Sequence, residues 1–178
     1  MNSDWDYLNS AISGDEKACE FIFNKYNKSL IRMTSLITGS LDAAKDIVQE
    51  TFYRLINSRI KHQQGSFKTY LTTIAFRLAL KEKYRTKKSQ LIDEYNLMED
   101  SVSLLEDHIS KETQKNVFHA IHCLHPDHRD ILVLRFYGEH SYEEIADITQ
   151  IPVGTVKSRI FYAVKACREK LKEKGVLE

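Results

Sequence analysis

Apolar side chains recur at steps of three and four residues along most of this chain, the spacing of amphipathic helices. Ala18, Phe21, Ile22 and Tyr26 open one such run, and it continues through Leu30, Met33, Leu36 and Ile37 until Gly39-Ser40 interrupts it. A second predicted helix spans 42–57. Ile47, Val48, Thr51, Phe52, Leu55 and Ile56 form its apolar stripe, with Asp46, Gln49, Glu50, Tyr53 and Asn57 on the opposite face. Residues 58–66 show no period and read as a loop. A third predicted helix covers 67–85. It buries Phe67, Leu71, Ile74, Ala75 and Leu78, and sets Tyr70, Thr73, Arg77, Lys81 and Tyr84 on one exposed stripe.

The period lapses over residues 86–111, which read as a flexible linker, and resumes in a second unit, residues 112–178. Val117, Ala120, Ile121 and Leu124 share a helix face. Pro126 suits a first helical turn behind His125, and the helix runs on from Ile131 to Tyr137, where Gly138 stops it. Ser141 and Glu144 have the spacing of a capping box. The short helix they open, 142–149, buries Ile145, Ala146 and Ile148. Gln150-Ile151-Pro152 forms a turn, and a last helix, about 154–174, faces Val156, Ile160, Ala163, Val164, Cys167 and Leu171 inward. Two helices joined by so tight a turn match a helix-turn-helix. The expected fold is all-α: two small helical domains, 1–85 and 112–178, free to shift on their linker. Only 6 Gly and 2 Pro in 178 residues agree with that and disfavour a loop-rich β-sandwich.

Charge adds a direction. The net charge is only +1, but residues 68–88 carry Lys68, Arg77, Lys81, Lys83, Arg85, Lys87 and Lys88 against Glu82 alone, and residues 152–174 carry seven cations against two acids. Residues 86–112 are acidic, with seven acids against three bases. Two basic patches parted by an acidic stretch point to two contacts with a polyanion. In a helix-turn-helix the second helix enters the major groove by its N-terminal part. Thr155, Ser158, Arg159 and Tyr162 face outward there. Arg159 suits a bidentate guanine contact, Thr155 and Ser158 a phosphate or a base edge, and Lys157 and Lys165 the flanking phosphates. Tyr142, at the start of the preceding helix, is placed with them.

Other chemistry is thin. Cys19, Cys123 and Cys167 are far apart and odd in number, so no disulfide framework is expected. His119, His122, His125 and His128 step by three around Cys123 and invite a zinc reading. Pro126 breaks the helix between them, however, and they are read as surface histidines without a metal. No Ser/His/Asp set, phosphate loop or carboxylate pair appears, so neither catalysis nor a cofactor is expected. The N-terminus lacks the basic start and apolar stretch of a secretory signal, and no apolar run is long enough to span a bilayer. The expected location is the cytoplasm.

Several stretches together are similar to a known family. Leu124-His125-Pro126-Asp127-His128-Arg129-Asp130, Ser141-Tyr142-Glu143-Glu144-Ile145-Ala146 and Ile151-Pro152-Val153-Gly154-Thr155-Val156-Lys157-Ser158-Arg159 resemble the −35-reading domain of bacterial sigma factors of the extracytoplasmic-function type. Leu41-Asp42-Ala43-Ala44-Lys45-Asp46-Ile47-Val48-Gln49-Glu50-Thr51-Phe52 resembles their core-polymerase-binding helix. Phe67-Lys68-Thr69-Tyr70-Leu71-Thr72-Thr73-Ile74-Ala75 resembles the start of their −10-reading helix. The chain departs from the family pattern at Arg77 and Lys81, where Asn and Asp are usual, at Gln150 in place of Gly, and at Tyr162 and Val164 in place of arginines.

The resemblance implies a sigma factor that brings core RNA polymerase to promoters and assists melting. It implies that Asp46, Gln49, Glu50 and Tyr53 meet the clamp coiled coil of the polymerase, and that the C-terminal unit meets the flap. It implies that Asn57, Arg59, His62, Gln63, Gln64 and Ser66 surround an unpaired −10 base, with Tyr70 stacking and Arg77, Lys81 and Arg85 clamping the backbone. An anti-sigma factor is the further implied partner, beside promoter DNA. Two rivals stand at this point: a helix-turn-helix regulator acting without core polymerase, and a protein-interaction module without DNA binding.

Overall fold

The computed structural model describes residues 3–58, 65–89 and 111–177, and every regular element among them is an α-helix. The first helix, α1 (Asp4–Ile12), lies where the sequence reads only as acidic and polar. Ser3 and Asp6 form a capping box, and Trp5, Leu8 and Ala11 turn inward. The indole N–H of Trp5 donates to the Gly65 carbonyl at 3.1 Å, and its ring meets Phe67 edge-on at 5.1 Å. So α1 staples the chain just ahead of the helix that Phe67 begins. Trp5, Leu8 and Ala11 recur every three residues, but among acidic and polar neighbours so short a stripe is a weak signal, and that hid α1 in the sequence.

The next three helices match the expected pattern. In α2 (Glu16–Thr38), the Asp15 carboxylate accepts from the N–H groups of Lys17 and Ala18, and Gly39 ends the helix at φ 78°. Ser40 caps α3 (Leu41–Asn57). The Ser66 hydroxyl accepts from the Thr69 N–H at the start of α4 (Phe67–Ser89), which runs four residues past its expected end. Ile22, Leu30, Met33 and Leu36 of α2, Val48 and Leu55 of α3, and Phe67, Leu71 and Ala75 of α4 fill the core between them.

One detail of α4 differs from expectation. Ile74 and Leu78 are only half-buried, whereas Thr72, Phe76 and Ala79 are buried. The helix therefore buries two faces. Leu71 and Ala75 turn toward α2 and α3. Residues 72, 76, 79 and 83, again at helical steps, form a second stripe.

That second stripe meets the C-terminal unit, which comprises α5 (Lys111–His122), α6 (Pro126–Phe136), α7 (Tyr142–Thr149) and α8 (Val153–Glu173). Pro126 is at the first helical position of α6, and the Ser141/Glu144 capping box opens α7. Val156, Ile160 and Ala163 are the buried side of α8, against Val133 and Leu134 of α6 and Ile145 and Ile148 of α7 in one core. Val164, expected inward, is 43% exposed because it lies at the margin of that stripe.

The two units expected from the sequence also touch one another. In this structure α7 lies on α4, and α5 and α6 lie on α2. Polar partners 47 to 75 residues apart hold the contact, and no periodicity in the sequence announces them. The 86–111 linker lies almost wholly outside the described residues.

Gln150 ends α7 in the left-handed region at φ 58°. A side chain there costs roughly 1–2 kcal/mol relative to a right-handed residue. Gln150→Gly is expected to raise unfolding stability by about 1 kcal/mol in a urea titration, with the helix-turn-helix unchanged in helicity. A lower midpoint would contradict the account.

Candidate nucleic-acid interface

The helix-turn-helix exposes the tip of α8 because the apolar residues of that helix are spent on its other side. No side chain caps its N-terminus, which follows Pro152, so the positive end of the helix dipole faces outward, as anion binding requires. Lys157, Ser158 and Lys165 are exposed and Thr155 is half-buried. The Ser158 hydroxyl donates to the Thr155 carbonyl at 3.0 Å. Tyr142 at the head of α7 has the Arg135 guanidinium 5.2 Å and the Lys157 ammonium 5.7 Å from its ring centre. That aromatic ring carries two cations toward the same outer surface. Arg135 is itself fixed by donating to the His140 carbonyl at 2.9 Å.

Arg159 is not extended into solvent. Its guanidinium lies 3.3 Å from the Asp127 carboxylate in the first turn of α6, with about a third of the side chain exposed. Asp127 was not singled out in the sequence, since 32 residues separate the pair. Tyr162 is 57% exposed and stacks against His128 at 6.4 Å, with Phe161 beside it.

On the N-terminal unit, Arg54, Tyr70, Ile74, Arg77, Leu78 and Lys81 line an open cleft of about 370 Å³ between α3 and α4. Ile74 and Leu78, half-buried, form its floor. Tyr70 supplies an aromatic wall, and three cations the rim. Burial raises the Tyr70 phenol above its usual value, against the opposing effect of a hydrogen bond with Ser58, so the ring is neutral at physiological pH. Tyr84 is 71% exposed further along α4, and Arg85 pairs with Glu82 at 2.9 Å. Asn57 is exposed and donates to the Tyr53 carbonyl, and Ser66 serves as the cap of α4. Arg59, His62, Gln63 and Gln64 lie outside the described residues. Arg54 is the cleft residue that the sequence reading missed. It sits at the end of α3, and only the packing of α4 beside it makes it part of the site.

The other face of α3 carries acid. Asp46, Gln49 and Tyr53 are exposed and Glu50 half-exposed, all off the apolar stripe. Glu50 holds Arg54 at 2.6 Å, so one salt bridge joins the acidic face to the rim of the cleft.

Among the described residues no three His, Cys, Asp or Glu side chains are gathered as a metal site. The histidine steps nevertheless need a correction, because His122 does not belong to the surface. Its Nδ1 lies 3.0 Å from the Arg129 guanidinium, its ring packs on Phe118, and its Nε2 is buried without a hydrogen-bond partner.

Comparison with known proteins agrees with this division. The family profile described as sigma-70 region 2 matches residues 22–89, and that described as sigma-70, region 4, matches residues 120–169. The ECF RNA polymerase sigma factor SigW of Bacillus subtilis is 31% identical over 180 residues, covering 90% of this chain and 92% of its own. The ECF RNA polymerase sigma-E factor of Escherichia coli K12 is 34% identical over 172 residues, covering 89% and 88%. Among solved structures, CnrH in complex with the cytosolic domain of CnrY superposes with a TM-score of 0.70 over 97% of this chain and 99% of its own, at 16% identity. The sigma factor RpoE in complex with the anti-sigma factor NepR from Bartonella quintana gives 0.66 over 84% and 95%, at 24% identity. At these identities the structures speak for a shared fold.

Proposed function

This chain belongs to the extracytoplasmic-function RNA polymerase sigma factors of the sigma-70 family, and we propose that it divides promoter recognition between the two surfaces described above. The observation that carries the reading is the pairing, in one chain, of a basic aromatic cleft beside an acidic helix face with a helix-turn-helix whose tip is cationic. The N-terminal unit, residues 1–85, serves core binding and the −10 element, and the unit at 112–178 serves the −35 element. Run-off transcription with purified core polymerase on a promoter library tests the whole reading. Transcripts that depend on the chain and share upstream sequence are expected. No transcription, with DNA bound in the absence of core, would favour the helix-turn-helix regulator instead.

In this reading Asp46, Gln49, Glu50 and Tyr53 dock on the basic clamp coiled coil, and the C-terminal unit on the flap. Asp46 is exposed and Glu50 half-exposed, and both lie off the core stripe, so they can offer charge to a partner. The cleft takes unpaired −10 DNA. Tyr70 offers a face for stacking, which contributes about 1–3 kcal/mol per base in such sites, while Arg54, Arg77 and Lys81 hold the strand. The loop residues Arg59, His62, Gln63 and Gln64, with Asn57 and Ser66, complete the enclosure of a flipped base. Cations at Arg77 and Lys81, in place of the usual Asn and Asp, weight this surface toward phosphate contact. As a sigma factor the protein acts as a transcription initiation factor and not as an enzyme. It works in the cytoplasm, where its polymerase is. The solved complex of RpoE with the anti-sigma factor NepR supports an anti-sigma factor as its restraining partner.

Reversing charge at Asp46 and Glu50 to Lys is expected to weaken association with core polymerase about tenfold or more, with helicity unchanged by circular dichroism. An unaltered competition titration would remove α3 from the docking surface.

Arg159 and Lys165 are expected to differ in kind. In holoenzyme, Arg159→Ala should relax preference at one −35 base pair by about 1–3 kcal/mol. Lys165→Ala should weaken all sequences alike and reduce the salt slope by roughly one. Asp127→Asn releases Arg159 from its ion pair and should steepen the salt dependence instead. Uniform loss for R159A with altered base preference for K165A would reverse the two roles.

A further inference from the structure

The three cysteines stand in different surroundings, and two of them meet where α5 ends. Cys123 is exposed, while Cys19 and Cys167 are half-buried. The backbone N–H of Cys123 donates to the His119 carbonyl at 3.0 Å, so the last turn of α5 carries through it and sets the two side chains on one face. Nδ1 of His119 lies 3.5 Å from Sγ of Cys123, and Nε2 lies 3.9 Å away. α5 packs on α8, where Cys167 lies half-buried against the core beside Ala166. Negative charge on Cys123 is felt at two places on α8. Burial pushes the Cys167 thiol up to about 11, and Cys123 adds to the rise. Glu173, at 2.9 Å, raises the Lys170 ammonium, and Cys123 contributes there as well. Cys167 and Lys170 are one turn apart on the same side of α8, so Cys123 lies over that side. In the sequence 44 positions separate the two cysteines, and no spacing rule pairs them.

We propose that Cys123 is a redox-modification site: with His119 as proton acceptor, its thiol reduces a hydroperoxide and then joins Cys167 in a reversible disulfide between α5 and α8. The chemistry rests on this cluster alone and not on the sigma-factor reading. The thiolate is the nucleophilic form of cysteine, and an imidazole at hydrogen-bond distance takes the thiol proton as sulfur attacks. Sulfur bonds to one oxygen of hydrogen peroxide and the O–O bond breaks. The departing hydroxide takes the proton from His119 and leaves as water. Cys123 is thereby oxidised to a sulfenic acid. In the second step Cys167 gives up its proton and its sulfur attacks Sγ of Cys123. The S–OH bond breaks, and the hydroxide takes that proton as a second water. Two thiols and one peroxide thus yield one disulfide and two waters.

Burial sets the order of the two steps. Cys167, pushed up to about 11, stays protonated at neutral pH and does not meet the peroxide first. Part of that rise comes from negative charge on Cys123. A sulfenic acid at Cys123 carries no such charge, so the first oxidation makes the second thiol easier to ionise. Cys19 lies on α2, in the other unit, and serves as an internal reference. The bridge closes a loop of about 45 residues that holds α6, α7 and the reading tip of α8. Such a constraint removes freedom from the unfolded chain and raises the melting point. Cys167 is eight residues beyond Arg159, or about 12 Å along the helix axis. The bridge therefore fastens the helix-turn-helix from behind its tip. In the reducing cytoplasm proposed above it is a transient state that follows peroxide exposure.

Treating the reduced full chain with hydrogen peroxide, then mapping its peptides by mass without reductant, tests the assignment. Free thiols should fall from three to one, a Cys123–Cys167 peptide should appear in monomeric chain, and dithiothreitol should restore all three. In C167S the sulfenic acid should persist on Cys123, where dimedone traps it. In C123S, Cys167 should remain a thiol at the same dose. His119 is read by rate. At pH 7, H119A should slow alkylation of Cys123 by iodoacetamide about tenfold or more. The deficit should vanish above about pH 9, where a cysteine ionises unaided, with helicity unchanged by circular dichroism. The bridged chain should melt about 5 °C or more above the reduced one, and peroxide should leave the melting point of C123S unmoved. Oxidation of Cys19 as fast as Cys123, bridges formed chiefly between molecules, or loss of Cys167 in C123S would overturn the proposal. H119A alkylated like wild type at pH 7, or slowed equally at every pH, would overturn the proton-accepting role. A bridged chain that melts with the reduced one would overturn the stabilising role.

Discussion

α4 is one helix with three obligations. Its Leu71 and Ala75 side completes the core with α2 and α3. Its Thr72, Phe76, Ala79 and Lys83 side is covered by the C-terminal unit through His140 and Asp130. The rest, Tyr70, Arg77 and Lys81, forms a wall of the cationic cleft. A helix presents about 100° of arc to each neighbour, so three such faces use most of its circumference. None can shift without disturbing the others. A rotation that buried Ile74 and Leu78 fully would close the cleft and pull Thr72 away from His140.

Several cations of the molecule are held by neighbouring acids, to unequal degrees. Arg54 on Glu50 and Arg159 on Asp127 are partly exposed pairs, each worth at most about 1 kcal/mol. Such pairs orient a side chain and yield easily to a phosphate or a base edge. Lys83 on Asp130 is different, because both groups have left water. Breaking it while the units stay docked strands a charge, whereas parting the units rehydrates both. That difference is why the surface pairs behave as rests for reading residues and the buried pair as a joint between bodies.

The joint also explains the two histidines. A neutral imidazole fits where Arg129 and Lys83 already supply positive charge around His122. At His140 it fits because the ring is wholly buried and Nε2 meets the Thr72 hydroxyl. His122, half-buried with its Nε2 inside, is thus not the surface histidine that its spacing in the sequence suggests.

Where the folding signal is local, the sequence by itself was enough. Helical steps located α2, α3, α4 and α8 within a few residues, Ser141 with Glu144 marked the start of α7, and Pro126 marked the start of α6. Both depend on neighbours three or four residues apart, which any linear reading reaches. The acidic face of α3 and the cationic tip of α8 were legible for the same reason. Tertiary structure decided the rest. It added α1 through Trp5 and its distant partners Gly65 and Phe67, brought Arg54 into the cleft, set Arg159 on Asp127, and chose Thr72, Phe76 and Lys83 as a second buried face. Hydrophobic period says that a face will be buried without saying against what. Polar pairs formed across 30 to 75 residues leave no period at all, because only the packed units bring them together.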